Sequence, residues 1–255
     1  MTPRRPLLLL ALAALTLAVP AAQAQTQPEG GIVHPQNEQS KPPLQLGEEL
    51  YAGNCSRCHG PDGGGREELG PRLEGVGALA ADFYLDTGYM PLRDPGDQPS
   101  RSRVEFSQRE LDALVAYVAS LGVGPEIPQP QPERGNLAEG LQLFTEHCAG
   151  CHQVVGEGGY VTDAVAPPLH QATPVQVAEA VRIGPYYMPR YSERAISDDE
   201  LDSIIAYVEA SKEPKDEGGW GIGHIGPVPE GLVAWLVAGA ALVGVCVLVG
   251  GRIRR

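Results

Sequence analysis

Apolar positions along this 255-residue chain fall into two kinds of run, one periodic and one unbroken. After Ser107, Leu111, Leu114, Val115 and Val118 stand at i, i+3, i+4 and i+7, one face of an amphipathic helix. The stretch Ser197–Val208 repeats the pattern almost residue for residue. Ser107 with Glu110, and Ser197 with Glu200, have the spacing of capping boxes, which start helices. No strand-type alternation is evident, so the expectation is an all-α chain.

The unbroken runs lie at the two ends. Leu7–Val19 follows Arg4 and Arg5 and precedes Ala22-Gln23-Ala24, the form of a cleaved export signal over 1–24. The competing reading is an uncleaved anchor, against which the run is short for a span. Leu232–Gly250 carries no charge, and at ~1.5 Å per residue it reaches about 30 Å, enough to cross a bilayer. Trp235 stands where an interfacial anchor would be, and Arg252, Arg254 and Arg255 follow. That asymmetry predicts a membrane helix over 231–251, with the C-terminus cytoplasmic and the rest of the chain outside. A buried core helix is the alternative.

Between the ends the chain repeats itself. Gly47, Tyr51, Cys55, Cys58 and His59 recur 93 positions later as Gly140, Phe144, Cys148, Cys151 and His152. Pro71 and Leu73 recur 96 later as Pro167 and Leu169. The repeats predict two tandem helical domains, over 46–124 and 135–212. The segment 25–45, rich in Gln, Pro and Gly, reads as a flexible tether. Pro125, Pro128, Pro130 and Pro132 mark a stiff linker over 125–134, and Gly and Pro mark a connector over 213–230.

Composition adds a requirement for help with the core. Aromatics are 5% of residues, with 3 Phe and 2 Trp, and small domains this poor in rings usually need a staple, metal or cofactor. The net charge is -13. Setting aside the five terminal arginines, 14 of the 19 basic residues face 32 acidic ones, which argues against nucleic acid and suits basic partners or simple solubility.

The 5 cysteines point to that cofactor. Cys55-Ser-Arg-Cys58-His59 and Cys148-Ala-Gly-Cys151-His152 are haem-attachment motifs. One helical turn brings two thiols and an imidazole toward a single macrocycle, so two covalent haem c groups are expected. A redox C-x-x-C needs βαβ context, which is lacking, and a zinc site built from both pairs leaves the following histidines unexplained. Besides Met1, the chain has two methionines, Met90 and Met188, 31 and 36 residues after His59 and His152 and each followed by proline. They are the candidate sixth ligands of the irons, which would close both to substrate and raise their potentials. Methionine as a core gap-filler is the plainer reading. The carbonyls of Pro71 and Pro167 are candidate acceptors for the imidazole Nδ1–H groups; otherwise these prolines only turn the chain. His147 and His170 read as surface groups, and His34 and His224 lie in tethers. Tyr89, Tyr186 and Tyr187, beside the methionines, are candidates for packing on haem edges.

Asn54-Cys-x-x-Cys-His-Gly60, Gly70-Pro-x-Leu-x-Gly-Val-Gly77, Thr87-Gly-x-Met-Pro91, Ala166-Pro-x-Leu169, Met188-Pro189 and Gly226-Pro-Val-x-Glu-Gly231 together resemble one family. It is the dihaem cytochrome c subunit of actinobacterial-type menaquinol:cytochrome c reductase, the cytochrome bc complex. The resemblance covers nearly the whole exported region, and the polar stretch Arg93–Arg103 departs from it. It implies two tandem class I cytochrome c domains on one C-terminal transmembrane helix. It further implies an electron-transfer subunit working beside a cytochrome b subunit, taking electrons from a Rieske iron–sulfur subunit and passing them to a haem–copper cytochrome c oxidase. Alternatives are a dihaem subunit of an oxidase or membrane dehydrogenase, a dihaem peroxidase with one open iron, and a zinc-binding structural protein.

Overall fold

The computed structural model describes residues 31–97, 99–213 and 227–253. The expected signal (1–24), most of the 213–230 connector, His224, Arg254 and Arg255 lie outside them. The helices are α1 (Pro43–Asn54), α2 (Ser56–His59), α3 (Gly77–Asp86), α4 (Gln108–Ser120), α5 (Leu137–His147), α6 (Ala149–His152), α7 (Pro174–Ile183), α8 (Asp198–Lys212) and α9 (Pro227–Ile253). The described residues form two compact units. One takes those within Met1–Gln129 together with Val175–Ala195, the other those within Pro130–Pro174 together with Ile196–Arg255.

In the first unit α1 crosses α4. A Cβ on Gly47 would lie 2.0 Å from the Ala113 carbonyl oxygen, so the two backbones touch where the glycine sits. Leu46, Leu50 and Tyr51 of α1 and Leu111, Leu114 and Val118 of α4 are buried around that crossing. In the second unit α5 crosses α8 in the same way, with the Cβ position of Gly140 at 1.9 Å from the Ser203 oxygen. The repeated aromatics explain themselves here. Tyr51 packs on Tyr117 at 5.1 Å between ring centroids, and Phe144 on Tyr207 at 5.3 Å.

Both expected capping boxes are present. The Ser107 hydroxyl accepts from the Glu110 amide and the Glu110 carboxylate accepts from the Ser107 amide at 2.8 Å. Ser197 and Glu200 do the same at the head of α8. Ser197→Ala removes one acceptor for an otherwise unpaired helix N–H, and is expected to cost about 1 kcal/mol. Urea unfolding measures it, and an unchanged midpoint would mean that this cap adds nothing.

Two expectations need correction. Residues 31–45 of the tether are not free: the Val33 amide donates to Asn54 Oδ1 at 2.7 Å and Asn54 Nδ2 donates back to the Val33 oxygen at 3.0 Å. Arg109 also donates to the carbonyl oxygens of Glu38 and Lys41, and Ile32 packs on the core, so this segment straps α1 and α4. The first helical region accordingly begins at Pro43, a proline that has no amide to leave unpaired in the first turn. The all-α expectation also misses a hairpin, β1 (Gly159–Val161) paired antiparallel with β2 (Ala164–Ala166). Its three-residue strands are too short for alternation to show, and its two-residue turn is closed by Asp163 at φ 61°. Within the expected domain 135–212, α5 and α8 lie in the second unit and Val175–Ala195 groups with the first.

Among the described residues, one helix is long and apolar enough to cross a membrane. Gly231–Ile253 within α9 has 23 residues and mean hydropathy 2.7, with its most apolar stretch wholly unburied. Trp235, Leu236 and Leu248 are exposed along it, so the described residues do not bury this helix in a core.

Candidate functional site

Each C-x-x-C-H motif forms a single turn of helix placed directly after a longer one. In the first repeat, the Cys58 and His59 amides both donate to the Cys55 oxygen, at 3.1 and 3.0 Å. In the second, those of Cys151 and His152 donate to the Cys148 oxygen at 3.1 and 2.9 Å. Positions i, i+3 and i+4 share a helix face, so two thiols and one imidazole project from the same side of each turn. None of the described cysteines forms a disulfide.

The loop beyond the histidine is built alike in both repeats. Gly65 donates its amide to the His59 oxygen at 2.8 Å, and Gly158 to the His152 oxygen at 3.0 Å. Leu73 closes on the Gly63 oxygen and Leu169 on the Gly156 oxygen, both at 2.7 Å. The left-handed turn directly after the histidine uses Gly60 at φ 80° in one repeat and Gln153 at φ 60° in the other. Gln153 Nε2 donates to the Gly158 oxygen at 2.6 Å, a bond within its own loop. The Tyr51 hydroxyl donates to the Gly60 oxygen at 2.6 Å, tying the first turn to α1.

These loops deliver the two expected prolines. His59 Nδ1 stands 2.8 Å from the Pro71 oxygen and His152 Nδ1 stands 3.0 Å from the Pro167 oxygen. A carbonyl oxygen only accepts, so Nδ1 carries the proton in each ring and the Nε2 lone pair is left for a metal. Burial holds the His152 imidazole toward its neutral form, the form that ligates iron. Gly70 is needed for the approach, since a Cβ there would lie 3.1 Å from His59 Nδ1 and 3.0 Å from the Cys58 oxygen.

Burial pushes the Cys55 thiol up to about 12 and the Cys148 thiol up to about 11. Among the described residues, no three His, Cys, Asp or Glu side chains converge into a metal-holding group.

Met90 is half-buried and packs, with Cys55 and Leu73, against the core cluster of the first unit. Met188 is also half-buried, in the segment that joins the same unit. Phe83, Tyr84 and Tyr89 form an aromatic group ahead of Met90, and exposed Tyr186 and Tyr187 meet edge to face ahead of Met188. His147 and His170 are exposed, as surface groups should be. The sequence reading missed His34, whose Nδ1 lies 2.6 Å from buried Glu110, and missed buried Glu179, whose one signal is a carboxyl inside the apolar run Val177–Val181.

The donor set fits a covalently attached haem: two thiols on one turn, an oriented imidazole beside them, and a half-buried thioether in each repeat.

The family model for cbb3-type cytochrome c oxidase subunit III matches the chain over 42–118 and 135–208, the two repeats. A cytochrome bc1 complex cytochrome c subunit from Corynebacterium diphtheriae is 34% identical over 227 residues, covering 82% of this chain and 81% of that protein. The protein of the same description from Mycobacterium tuberculosis is 36% identical over 225 residues, covering 85% of this chain and 80% of its own length. A cbb3-type cytochrome c oxidase subunit CcoP from Azospirillum is 28% identical over 186 residues, 64% of this chain and 60% of that protein.

Proposed function

The chain belongs to the family of cytochrome bc1 complex cytochrome c subunits, proteins that carry covalently bound haem c, and from that premise we propose that it is the membrane-anchored dihaem electron-transfer subunit of a quinol:cytochrome c reductase. The observation that carries the reading is the duplicated turn, in which each C-x-x-C-H histidine has its Nδ1 held by a proline carbonyl.

In this reading 46–124 and 135–212 are two class I cytochrome c domains. The first would hold a haem through Cys55 and Cys58, with His59 and Met90 as the residues that would ligate its iron. The second would do so through Cys148 and Cys151, with His152 and Met188. The two thiols of each motif would hold the haem as thioethers to its vinyl groups. A bound haem c supplies one-electron exchange. The chain's residues do the rest. The proline carbonyls fix the ring planes and raise imidazole basicity. Met90 and Met188 would supply thioether donors, which would favour the reduced iron over the oxidised one. Cleavage after residue 24 and Arg252, Arg254 and Arg255 on the cytoplasmic side put both domains outside the cell membrane on one span. There the subunit stands beside a cytochrome b subunit, receives electrons from a Rieske iron–sulfur subunit and passes them to a haem–copper oxidase. The acidic surface suits basic partner faces.

A pyridine haemochrome assay is expected to give two haems per chain. Membranes lacking the chain are expected to lose quinol-dependent reduction of the oxidase; if that reduction survives unchanged, the assignment is wrong. The cbb3 family model favours a second reading, a dihaem subunit of an oxidase. That reading predicts loss of oxidase activity toward an artificial donor, with quinol-dependent reduction of haem b and cytochrome c intact.

A further inference from the structure

Within the first unit, α7 lies on α3. Gln176 Nε2 donates to Asp86 Oδ2 at 2.6 Å and accepts at Oε1 from Arg101 at 3.2 Å. One turn further along α7, Glu179 is 0% exposed, no N–H donor reaches either carboxyl oxygen, and the one group within hydrogen-bonding reach is another carboxyl, that of Asp82. It faces Asp82 on α3, which is half-buried. The charged groups about the pair are Asp86 on α3, Asp112 on α4 near Asp82, and Arg101 of the loop after α3, which binds Gln176.

A buried carboxylate with no donor is expensive to keep ionised, and a second carboxylate facing it, with a third one turn away, adds repulsion. The way out is a proton. We propose that Glu179 and Asp82 form a proton-binding carboxyl pair that latches α7 onto α3, so that docking of the Val175–Ala195 segment takes up one proton. Burial first, and then Asp82 and Asp86, push the Glu179 carboxyl up to about 9, and burial raises Asp82 as well. Once α7 lifts off, Glu179 is solvated and returns to an ordinary carboxylate value, about 4.3.

The sign follows from these two values. An acid raised in the docked state stabilises docking fully below its ordinary value, and loses that stability steadily as pH rises toward the docked value. Between about pH 5 and pH 8 one proton leaves on undocking, so the undocking constant grows about tenfold per pH unit. On the proposed role of Met188 as ligand, the same latch steadies the segment that supplies it. The latch itself stands on α3 and α7 alone.

Hydrogen exchange of the full-length, haem-loaded chain in detergent tests the proposal. Rates are taken from pH 5 to pH 8 and corrected for intrinsic exchange. The opening constant of 174–183 is expected to rise about tenfold per pH unit, while that of 137–147 does not. Glu179→Gln is expected to abolish the slope and to remove an un-ionised carboxyl band from the infrared spectrum at neutral pH. A flat profile in the native chain, or a slope unchanged in Glu179→Gln, overturns the proposal. If Glu179→Gln fails to fold, Asp82→Asn decides: relieved of one repelling charge, Glu179 ionises at lower pH, so the steep regime must end earlier. An Asp82→Asn profile identical to the native one counts against the latch. The methionine–haem absorption of the same samples reports Met188 separately, so loss of the ligand reading leaves the latch test intact.

Discussion

Gly140→Ala is expected to collapse the α5–α8 pair. The added methyl carbon would sit 1.9 Å from the Ser203 carbonyl oxygen and 2.6 Å from its carbon. Those are backbone atoms of a helix, and no rotamer change moves them aside. The helices must part by more than an ångström, which loosens Phe144 from Tyr207 and opens the surroundings of Ile204 and Ile205. Overpacking of a tight core costs typically 1–3 kcal/mol, and a backbone clash at a crossing belongs at or above the top, about 3 kcal/mol. Against a total of roughly 5–15 kcal/mol that is a large fraction, about a 150-fold shift toward the unfolded form. Denaturant unfolding of the haem-loaded chain should show it. Gly47→Ala is expected to do the same to the first repeat, with its Cβ 2.0 Å from the Ala113 oxygen. Gly150→Ala is the control: nothing lies within 4 Å of its Cβ position, so its effect should stay within about 0.5 kcal/mol. A Gly140→Ala chain that unfolds at the native denaturant concentration would show that the helices do not cross this closely.

Met90→His and Met188→His are expected to keep both haems attached, because the thioethers depend on the cysteines, and to lower one reduction potential each. A thioether favours ferrous iron and a second imidazole favours ferric iron. Axial ligand choice sets haem potentials over roughly 0.8 V, so a fall on the order of a few tenths of a volt is expected in the haem whose ligand changed. Redox titration of each variant reads it directly. The two components should move independently, one per substitution. If neither moves in Met90→His, then Met90 is a packing residue of the first core, where it sits beside Cys55 and Leu73.

The sequence was most readable where the determining interactions are local. Ser107 and Glu110, or Ser197 and Glu200, are three residues apart, and a helix end needs little else to be recognised. C-x-x-C-H fits in one turn, and its duplication at a constant offset marks both loops. The proline acceptors lie 12 and 15 residues beyond their histidines, and repetition alone made them visible. The Gly47 and Gly140 repeat was visible too, but its purpose was not, because it depends on helices about 65 residues apart in the chain.

What the sequence determined by itself, then, is the set of helices, the two attachment turns with their histidines, and a C-terminal segment apolar enough for a membrane. Helix caps, one-turn motifs and hydropathy follow from neighbours within a few residues. Only the tertiary structure decided that residues 31–45 strap α1 and α4, that His34 reaches Glu110 across 76 residues, and that Val175–Ala195 joins the first unit. It also decided that Glu179 is buried facing Asp82. The reason is that burial of a polar side chain depends on which distant surface covers it, and a periodic pattern names the covered face without naming the cover.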